Sequence, residues 1–293
     1  MTQTRLYMDC SAAEARVLSP LVENAFEDEG YPVASFETDA AAGRWSVSLY
    51  VSDEETGQAE KRLAEIARDA GLDADIGREE LGDTDWVSLT LSGLKPVRAG
   101  RYVVHGSHDR AAPRAHEIAI EIEAGIAFGT GHHGTTAGCL DMLDACLKKR
   151  PCRNALDLGT GSGVLAIAIA KSLPIHVLAS DIDADSVMTA RDNSRLNGVA
   201  GQVEAICAAG FSHRRFADNV PFDLVVANIL AGPLMAMAHD LARHVARGGT
   251  VILSGLLPHQ KARIVASYRQ QGLKLVRAHL REGWLTLVMQ KMR

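Results

Sequence analysis

The 293-residue sequence has no apolar run long enough to cross a membrane, because a spanning helix needs about 20 consecutive apolar residues. The first ten residues, MTQTRLYMDC, contain one arginine and no apolar core of signal-peptide length, so nothing there marks the chain for export. We therefore expect a cytoplasmic protein with no membrane association.

Cysteines are few, and their pattern argues against cross-links. None of the five forms a C-x-x-C pair, and their number is odd. Such a set favours buried, reduced thiols over disulfides or a zinc site. The five are Cys10, Cys139, Cys146, Cys152 and Cys207.

The only suggestion of a metal site is the adjacent pair His132 and His133, in a glycine-rich segment. Neighbouring residues rarely face the same ion, and no cysteine or carboxylate lies at ligand spacing. We expect no bound metal.

Negative charge is concentrated in the N-terminal third of the chain. Residues 1–94 contain 7 lysines and arginines against 20 aspartates and glutamates, a net charge of −13, whereas residues 95–293 carry +8. A phosphate backbone would be repelled by the acidic part, so we expect no direct nucleic-acid binding. An acidic surface suits a basic protein partner, and it equally suits a small domain that only has to stay soluble.

The first 82 residues predict a small α+β domain in the order βαββαβ, the order of a ferredoxin-like sheet with two helices on one face. Such a domain binds partners more often than it catalyses. The predicted strands are TRLYMDCS, PVASFET, RWSVSLYVS and a last one within residues 73–82. The predicted helices are AAEARVLSPLVENAFEDEG, ending at Gly30, and TGQAEKRLAEIARDAGL.

Residues 83–115 are broken by glycine and proline and predict a connector with one strand, GRYVVHGS. From residue 116 to 293, strands and helices alternate, which is typical of a doubly wound parallel sheet, a Rossmann-like α/β fold. The predicted strands are NALDL, HVLASD, FDLVVAN, TVILSG and a terminal antiparallel hairpin around Glu282 and Gly283. The predicted helices begin near Gly163, Ala184, Pro233 and Pro258.

The segment ALDLGTGSGVLAIAIA places three glycines between a predicted strand and a predicted helix. Ligands of open parallel sheets bind at such strand ends, and glycines there permit positive φ and close approach of the backbone. The nicotinamide fingerprint G-x-G-x-x-G fails from Gly159, where the sixth residue is Val164. From Gly161 it succeeds only in the looser form that accepts Ala166. The glycines alone are weak evidence.

Two carboxylates favour S-adenosylmethionine over a nicotinamide cofactor. Asp157, two residues before Gly159, would repel a pyrophosphate but attract a cationic sulfonium and ammonium ligand. Asp181 ends the next strand, where it can accept both hydroxyls of a ribose, a role that both cofactors share. The remaining alternative is a glycine turn followed by a helix-capping aspartate.

Two further segments carry polar residues near the same edge. FDLVVANILAGPL predicts a buried strand ending in Asn228, which could hold a nucleophilic amine, bind the cofactor, or only cap the next helix. AFGTGHHGTT, residues 127–136, predicts a mobile loop that closes over the cofactor, with Thr135 and Thr136 capping the following helix.

These segments together resemble one family, the bacterial methyltransferases that modify large-subunit ribosomal protein eleven. Two departures occur: Gly134 stands where the family often has proline, and Thr160 where it often has cysteine. The resemblance covers residues 83 to the end and is most specific in ANILAGP. It is carried by AFGTGHHGTT, LDLGTGSGVLAIAIAK, DIDADSVMTARDNSRLNGV, VVANILAGPL, LSGLL and GWLTLV.

The resemblance implies a seven-stranded class I methyltransferase sheet (residues 116–293) behind a ferredoxin-like substrate-recognition domain (residues 1–82). It implies S-adenosylmethionine as cofactor, with contacts at Thr136, Gly159, Asp181 and Asn228; Gly161, in the same turn, is a further candidate. It also implies a substrate methylated on its α-amino group and lysine side chains.

Three other functions stay open at this point: a nicotinamide-dependent oxidoreductase, a methyltransferase acting on another protein, a nucleic acid or a small molecule, and a protein that binds the cofactor without catalysis. For the methyltransferase we expect Asn228 to position the amine. No histidine or carboxylate is an obvious base, so water is expected to remove the proton of the amine.

Overall fold

A computed structural model of the chain shows two compact units, Met1–Trp86 and Val87–Arg293. The structure describes residues 3–26, 29, 31, 33–39, 43–52, 55–72, 75–81, 96–107, 110, 113–114, 116–122, 134–149 and 151–292.

The first unit is a four-stranded antiparallel sheet covered by two helices. Its strands lie in the order β2-β3-β1-β4, so the first strand is central and is flanked by the third and the last. The elements are β1 (Gln3–Ser11), α1 (Ala12–Ala25), β2 (Val33–Asp39), β3 (Arg44–Ser52), α2 (Thr56–Asp69) and β4 (Ile76–Leu81).

Helix α1 begins at a capping box in which the Ser11 hydroxyl accepts from the Glu14 backbone N–H and the Glu14 carboxylate accepts from the Ser11 N–H. It ends at Ala25, before the predicted end at Gly30. The next residue, Phe26, has φ of −113° and ψ of 19°, outside the helical range, although its N–H still donates to the Val22 carbonyl.

The core of this unit forms on one face of its sheet. Strand residues such as Leu6 and Leu49 alternate with outward-facing ones and pack against Leu18 of α1 and Leu63 of α2, and all four are at most 1% exposed. The two helices therefore share one core with the sheet.

The second unit begins with a three-stranded sheet of β5 (Val97–Ala99), β6 (Tyr102–His105) and β7 (Ile118–Glu121). Strand β6 is the one predicted within the connector. It pairs antiparallel with β5 and parallel with β7. Asn197, in the main body of the unit, donates to the Glu121 carbonyl and accepts from its N–H, at 2.6 and 3.0 Å. These bonds attach the small sheet to that body.

The main body is a seven-stranded sheet in the order β10-β9-β8-β11-β12-β14-β13, in which β14 runs antiparallel to its neighbours. Its strands are β8 (Asn154–Leu158), β9 (His176–Asp181), β10 (Val203–Cys207), β11 (Phe222–Asn228), β12 (Val245–Leu256), β13 (Leu273–Arg281) and β14 (Trp284–Lys291). Its helices are α3 (Gly134–Leu147), α4 (Val164–Ser172), α5 (Ala184–Leu196), α6 (Arg214–Asn219), α7 (Ala231–Ala236), α8 (Ala238–His244) and α9 (Lys261–Gln270), with a 3₁₀ turn at Pro258–Gln260.

This order confirms the doubly wound sheet, because the strand order reverses between β8 and β11. The terminal antiparallel hairpin is also confirmed, with Glu282 and Gly283 at positive φ in its turn. Strand β10 was not predicted. It is a short edge strand, VEAIC, in which Glu204 interrupts the apolar residues, so the sequence shows no clear apolar run there.

The sheet is covered on both faces. Ala155 of β8 belongs to one apolar cluster, whereas Leu156 and Leu158 belong to the other. Helix α4 is buried along nearly its whole length, with residues 166–169 at 0% exposed. Between these two layers the strands end at one edge, where the polar residues gather. None of the helices in the described part of the chain is long and apolar enough to cross a membrane.

Candidate functional site

The structure brings the predicted polar residues to one edge of the sheet. Leu158 pairs with Ser180 on one side and with Ala227 on the other. The next residues along these three strands are Gly159, Asp181 and Asn228. Because the strands are parallel, these residues leave the sheet side by side at its carboxyl edge, beside the switch point.

The glycine turn joins β8 to α4 in a conformation that needs glycine. Gly159, Gly161 and Gly163 have φ of +72°, +53° and +83°. The backbone N–H groups of Gly159 and Thr160 both donate to the Ser180 carbonyl, at 2.8 and 3.0 Å. The turn is thus fixed to the neighbouring strand β9.

At Gly159 the absence of a side chain makes room for the protein itself. A Cβ atom there would lie 2.3 Å from Cγ2 of Ile229, the residue after Asn228. The absence of a side chain at Gly159 therefore lets the residue after β11 pack directly against the glycine turn. This close packing was not predicted from the sequence.

Asp157 is fully buried below the glycine turn. Its Oδ2 accepts from the Thr160 hydroxyl at 2.7 Å and from the Ala166 N–H at 3.0 Å. Burial raises the pKa of Asp157 to about 6, against the lowering effect of those two hydrogen bonds, and the charge of Asp181 raises it further. Its Oδ1 is buried and has no hydrogen-bond partner among the described residues.

Asp181 is partly buried at the end of β9. Its Oδ2 accepts from the Gly161 N–H at 2.8 Å, and its Oδ1 accepts from the Asp183 N–H at 3.1 Å. Each carboxylate oxygen can accept a further hydrogen bond, so the group is held in place and can still receive hydroxyl donors.

Asn228 contacts the first turn of α3. Its Nδ2 lies 3.2 Å from the Thr136 hydroxyl and 3.4 Å from the Thr135 hydroxyl. The prediction that Thr135 and Thr136 cap this helix is wrong, since α3 begins at Gly134 and both threonines lie within it. Their hydroxyls are directed to Asn228 instead, because both side chains are buried against β11.

Asn228 does not cap the next helix either. Helix α7 begins at Ala231, earlier than the predicted Pro233, and the residue before it, Leu230, makes no side-chain cap. With its Nδ2 directed to α3, the Oδ1 of Asn228 makes no hydrogen bond within the described part of the chain. The rest of the predicted loop, residues 127–133 with His132 and His133, lies outside the described residues.

Gly134 fits closely against the terminal hairpin. A Cβ atom there would lie 2.8 Å from the Arg281 carbonyl oxygen and 3.1 Å from Cδ1 of Trp284. The proline that the resemblance would place here would meet these atoms, so a residue without a side chain suits this contact of α3 with the hairpin.

Three residues that support the site were missed from the sequence. Ile229 packs against Gly159, and its backbone oxygen would lie 2.4 Å from a Cβ at Gly255. Ser254 donates to the Thr135 carbonyl at 3.2 Å, and it lies 2.9 Å from the Thr286 hydroxyl. The available signal was a serine and a threonine within otherwise apolar strands, in the segments LSGLL and GWLTLV.

Other possible sites are less convincing. A cavity of about 470 Å³ runs along the edge strand β10 and is lined by His176, Arg191 and Glu204 among others, but by none of the predicted site residues. Arg191 and Glu204 are already engaged, with the Ala205 carbonyl and Arg215 respectively. In the described ranges no group of three histidines, cysteines or carboxylates could hold a metal ion.

Comparisons with known proteins agree with this geometry. The family model "Ribosomal protein L11 methyltransferase (PrmA)" matches residues 17–292. The chain is 50% identical over 287 residues to a ribosomal protein L11 methyltransferase of Mesorhizobium japonicum, covering 98% of this chain and 99% of that protein. It is 48% identical to one of Rhizobium meliloti, with 98% and 99% covered. A solved ribosomal protein L11 methylase of Lactobacillus delbrueckii subsp. bulgaricus is 27% identical with a TM-score of 0.61, covering 68% of this chain and all of that one.

Proposed function

The chain belongs to the ribosomal protein L11 methyltransferase family, and from this premise we propose that it transfers methyl groups from S-adenosylmethionine to amines of large-subunit ribosomal protein eleven. The observation that carries the proposal is the meeting of Asp157, Asp181 and Asn228 around one glycine turn. The family match leaves the oxidoreductase reading without support.

Two features of the site favour this cofactor. The buried carboxylate of Asp157, just below the glycine turn and with its Oδ1 unpartnered, attracts a cationic ammonium or sulfonium group bound at that turn. The Asp181 carboxylate, fixed by two backbone N–H groups, suits the two hydroxyls of a ribose. A pyrophosphate at the glycine turn would instead be repelled by the Asp157 carboxylate. Gly159, Gly161 and Thr136 complete the proposed binding residues.

When bound, S-adenosylmethionine supplies an electrophilic methyl group on a positively charged sulfur. The acceptor nitrogen must be neutral to attack it. A free lysine has a pKa of about 10.4 and an α-amine one of about 7.7–8.0, so deprotonating the lysine at neutral pH costs more free energy. Entry into a site with apolar walls lowers the pKa of an amine, because burial disfavours the ammonium form.

The chain's own contribution to the reaction is alignment. Asn228 has its Nδ2 directed to the two threonine hydroxyls, which leaves Oδ1 to accept a hydrogen bond from the N–H of an entering amine. An amine held in this way keeps its lone pair free for the methyl group. Correct alignment of two reactants can supply about 7–11 kcal/mol of barrier reduction. Water is the proposed acceptor of the proton.

The acidic first unit is the proposed recognition element for the substrate protein. Residues 1–86 carry 7 basic and 20 acidic residues, a net charge of −13. A basic ribosomal protein would be attracted to this surface, and the attraction would weaken with added salt.

Intact-mass analysis tests the proposal. Purified ribosomal protein eleven of the same organism is incubated with the full chain and S-adenosylmethionine, and we expect mass gains in whole methyl steps. A chain of residues 87–293, with cofactor binding verified by calorimetry, is expected to lose this activity. No mass gain with the full chain, despite measured cofactor binding, would refute the substrate assignment.

A further inference from the structure

Three buried hydroxyl side chains connect strand β14 to Asn228. Thr286 of β14 and Ser254 of β12 have their hydroxyls 2.9 Å apart, and Ser254 also reaches the Thr135 carbonyl at 3.2 Å. The Thr135 hydroxyl then contacts Nδ2 of Asn228. We name Thr286, Ser254 and Thr135 the hydroxyl chain.

The direction of the bonds in the hydroxyl chain follows from proton counting. Ser254 has one hydroxyl proton, and a carbonyl can only accept, so this proton goes to the Thr135 carbonyl. Thr286 must then donate its own proton to the Ser254 oxygen. The exposed fractions of Thr286, Ser254 and Thr135 are 1%, 0% and 6%, so water does not compete for these bonds.

Packing alone would not require these hydroxyls. Valine has nearly the shape of threonine, and burying a hydroxyl without need costs free energy. Helix α3 is already held by fully buried apolar residues such as Leu140 and Leu143. The close fit also extends to Gly138, where a Cβ atom would lie 2.5 Å from the Thr286 hydroxyl. The hydroxyls therefore add direction to a contact that apolar packing already secures.

Direction matters at Asn228 because the terminal torsion of an asparagine is soft and nearly two-fold, so its partners decide where Oδ1 points. The threonine hydroxyls are those partners, and the backbone of Thr135 is fixed by Ser254. Loss of the Ser254 bond would loosen Thr135, one of the two hydroxyl partners of Nδ2, and so weaken the preference of the carboxamide for one orientation.

We propose that Ser254 and Thr286 are positioning residues for methyl transfer, which act through Thr135 to hold the Asn228 carboxamide with Oδ1 toward the acceptor amine. This inference rests on the proposed function of Asn228. It predicts that the residues affect the rate of the chemical step and leave cofactor binding nearly unchanged.

The test compares four variants of the full chain. Thr286→Val removes the hydroxyl and keeps the shape, Thr286→Ser keeps the hydroxyl, and Ser254→Ala breaks the chain at its centre. Thr250→Val is the matched control, since Thr250 lies on the same strand as Ser254 toward the opposite end, with an exposed fraction of 9%. For each, kcat, the KM for S-adenosylmethionine and the thermal midpoint are measured.

We expect Thr286→Val and Ser254→Ala to lower kcat about tenfold, with the KM for S-adenosylmethionine within about threefold of wild type. Thr286→Ser should restore most of kcat, and Thr250→Val should leave it unchanged. Equal kcat for Thr286→Val and wild type, or an equal loss in Thr286→Ser, would overturn the proposal, and so would an equal loss in the Thr250→Val control.

A second measurement separates this inference from the substrate assignment and needs no turnover. With asparagine labelled by ¹⁵N, the side-chain NH₂ resonances of Asn228, assigned by their loss in Asn228→Ala, report the hydrogen bonds of Nδ2. Thr286→Val should shift or broaden them, whereas Thr250→Val should not. Unchanged resonances in Thr286→Val would refute the positioning role even if ribosomal protein eleven is methylated, and a shift would support it even if that protein is not the substrate.

Discussion

Replacing Asp157 by asparagine is expected to stabilise the ligand-free protein while weakening cofactor binding. The carboxylate is fully buried, and its Oδ1 accepts no hydrogen bond from the described residues. An asparagine oxygen in the place of Oδ2 can still accept from Thr160 and from the Ala166 N–H. The substitution therefore removes a buried charge and preserves the two hydrogen bonds.

The magnitude follows from the pKa of Asp157, which burial raises from 3.8 to about 6. A shift of about two units corresponds to ~3 kcal/mol, since each unit is worth 1.36 kcal/mol. Above pH 6 both the folded and the unfolded protein hold Asp157 ionised, and the folded protein bears this full cost. Between about pH 6 and pH 4 the folded protein takes up a proton that the unfolded chain does not, so the cost declines as the pH falls.

The expected result is a pH-dependent difference between two proteins. Asp157→Asn should have the higher free energy of unfolding at pH 8, by up to ~3 kcal/mol, and this advantage should fall below ~1 kcal/mol near pH 4. The amide NH₂ left at the Oδ1 position reduces the gain, because it too lacks a partner.

Urea unfolding of the second unit measures this difference, followed by the fluorescence of Trp284 after Trp45 and Trp86 are changed to phenylalanine. Because both proteins carry the same other titrating groups, their difference isolates Asp157. Calorimetry at pH 8 should show at least a tenfold loss of S-adenosylmethionine affinity in Asp157→Asn. A less stable Asp157→Asn at pH 8, or an advantage independent of pH, would refute the reasoning.

Three other experiments, two with substituted proteins and one by thiol labelling, have defined outcomes. Gly159→Ala should lower the free energy of unfolding by ~1–3 kcal/mol, because the new methyl group clashes with Ile229 and because alanine is strained at positive φ. In urea unfolding, the double variant with Ile229→Ala should be relieved of the clash but not of the backbone strain. Asp181→Ala should weaken S-adenosylmethionine binding at least tenfold by calorimetry, and unchanged affinity would exclude the ribose role. Thiol labelling with peptide mapping should modify the exposed Cys207 first, while Cys139, with its pKa raised to about 12 by burial, reacts only on unfolding.

The sheet and the site were predictable from the sequence to different degrees. The strands that carry Asp157, Asp181 and Asn228 were predicted with their observed bounds, because each is a short, mostly apolar run with a polar residue at or next to its carboxyl end. Strand β10 was not, since an edge strand buried on fewer sides needs no continuous apolar run. Periodicity thus finds the centre of a sheet more readily than its edge.

The partners of the site residues could not be predicted in the same way. Thr135 and Asn228 are 93 residues apart in the chain, and Ser254 and Thr286 are 32 apart, so no local pattern links them. A threonine after a glycine-rich segment resembles a helix cap in sequence, and only the tertiary contact with β11 shows that its hydroxyl has another partner. Local propensity was overridden there by packing.

The edge of the sheet also stands out on physical grounds that need no comparison with other proteins. A carboxylate buried without a full set of partners is unfavourable for a protein that only has to fold, and next to it lie a turn of three glycines and an asparagine at the end of an apolar strand. Unpaired buried polar groups persist where function requires them, and elsewhere selection for stability removes them. All three features lie at the carboxyl ends of the neighbouring strands β8 and β11. A ligand that carries both a positive charge and hydroxyl groups would match the charge of Asp157 and the acceptor oxygens of Asp181 at once, which is why this edge, rather than the cavity along β10, is the place to look for the chemistry.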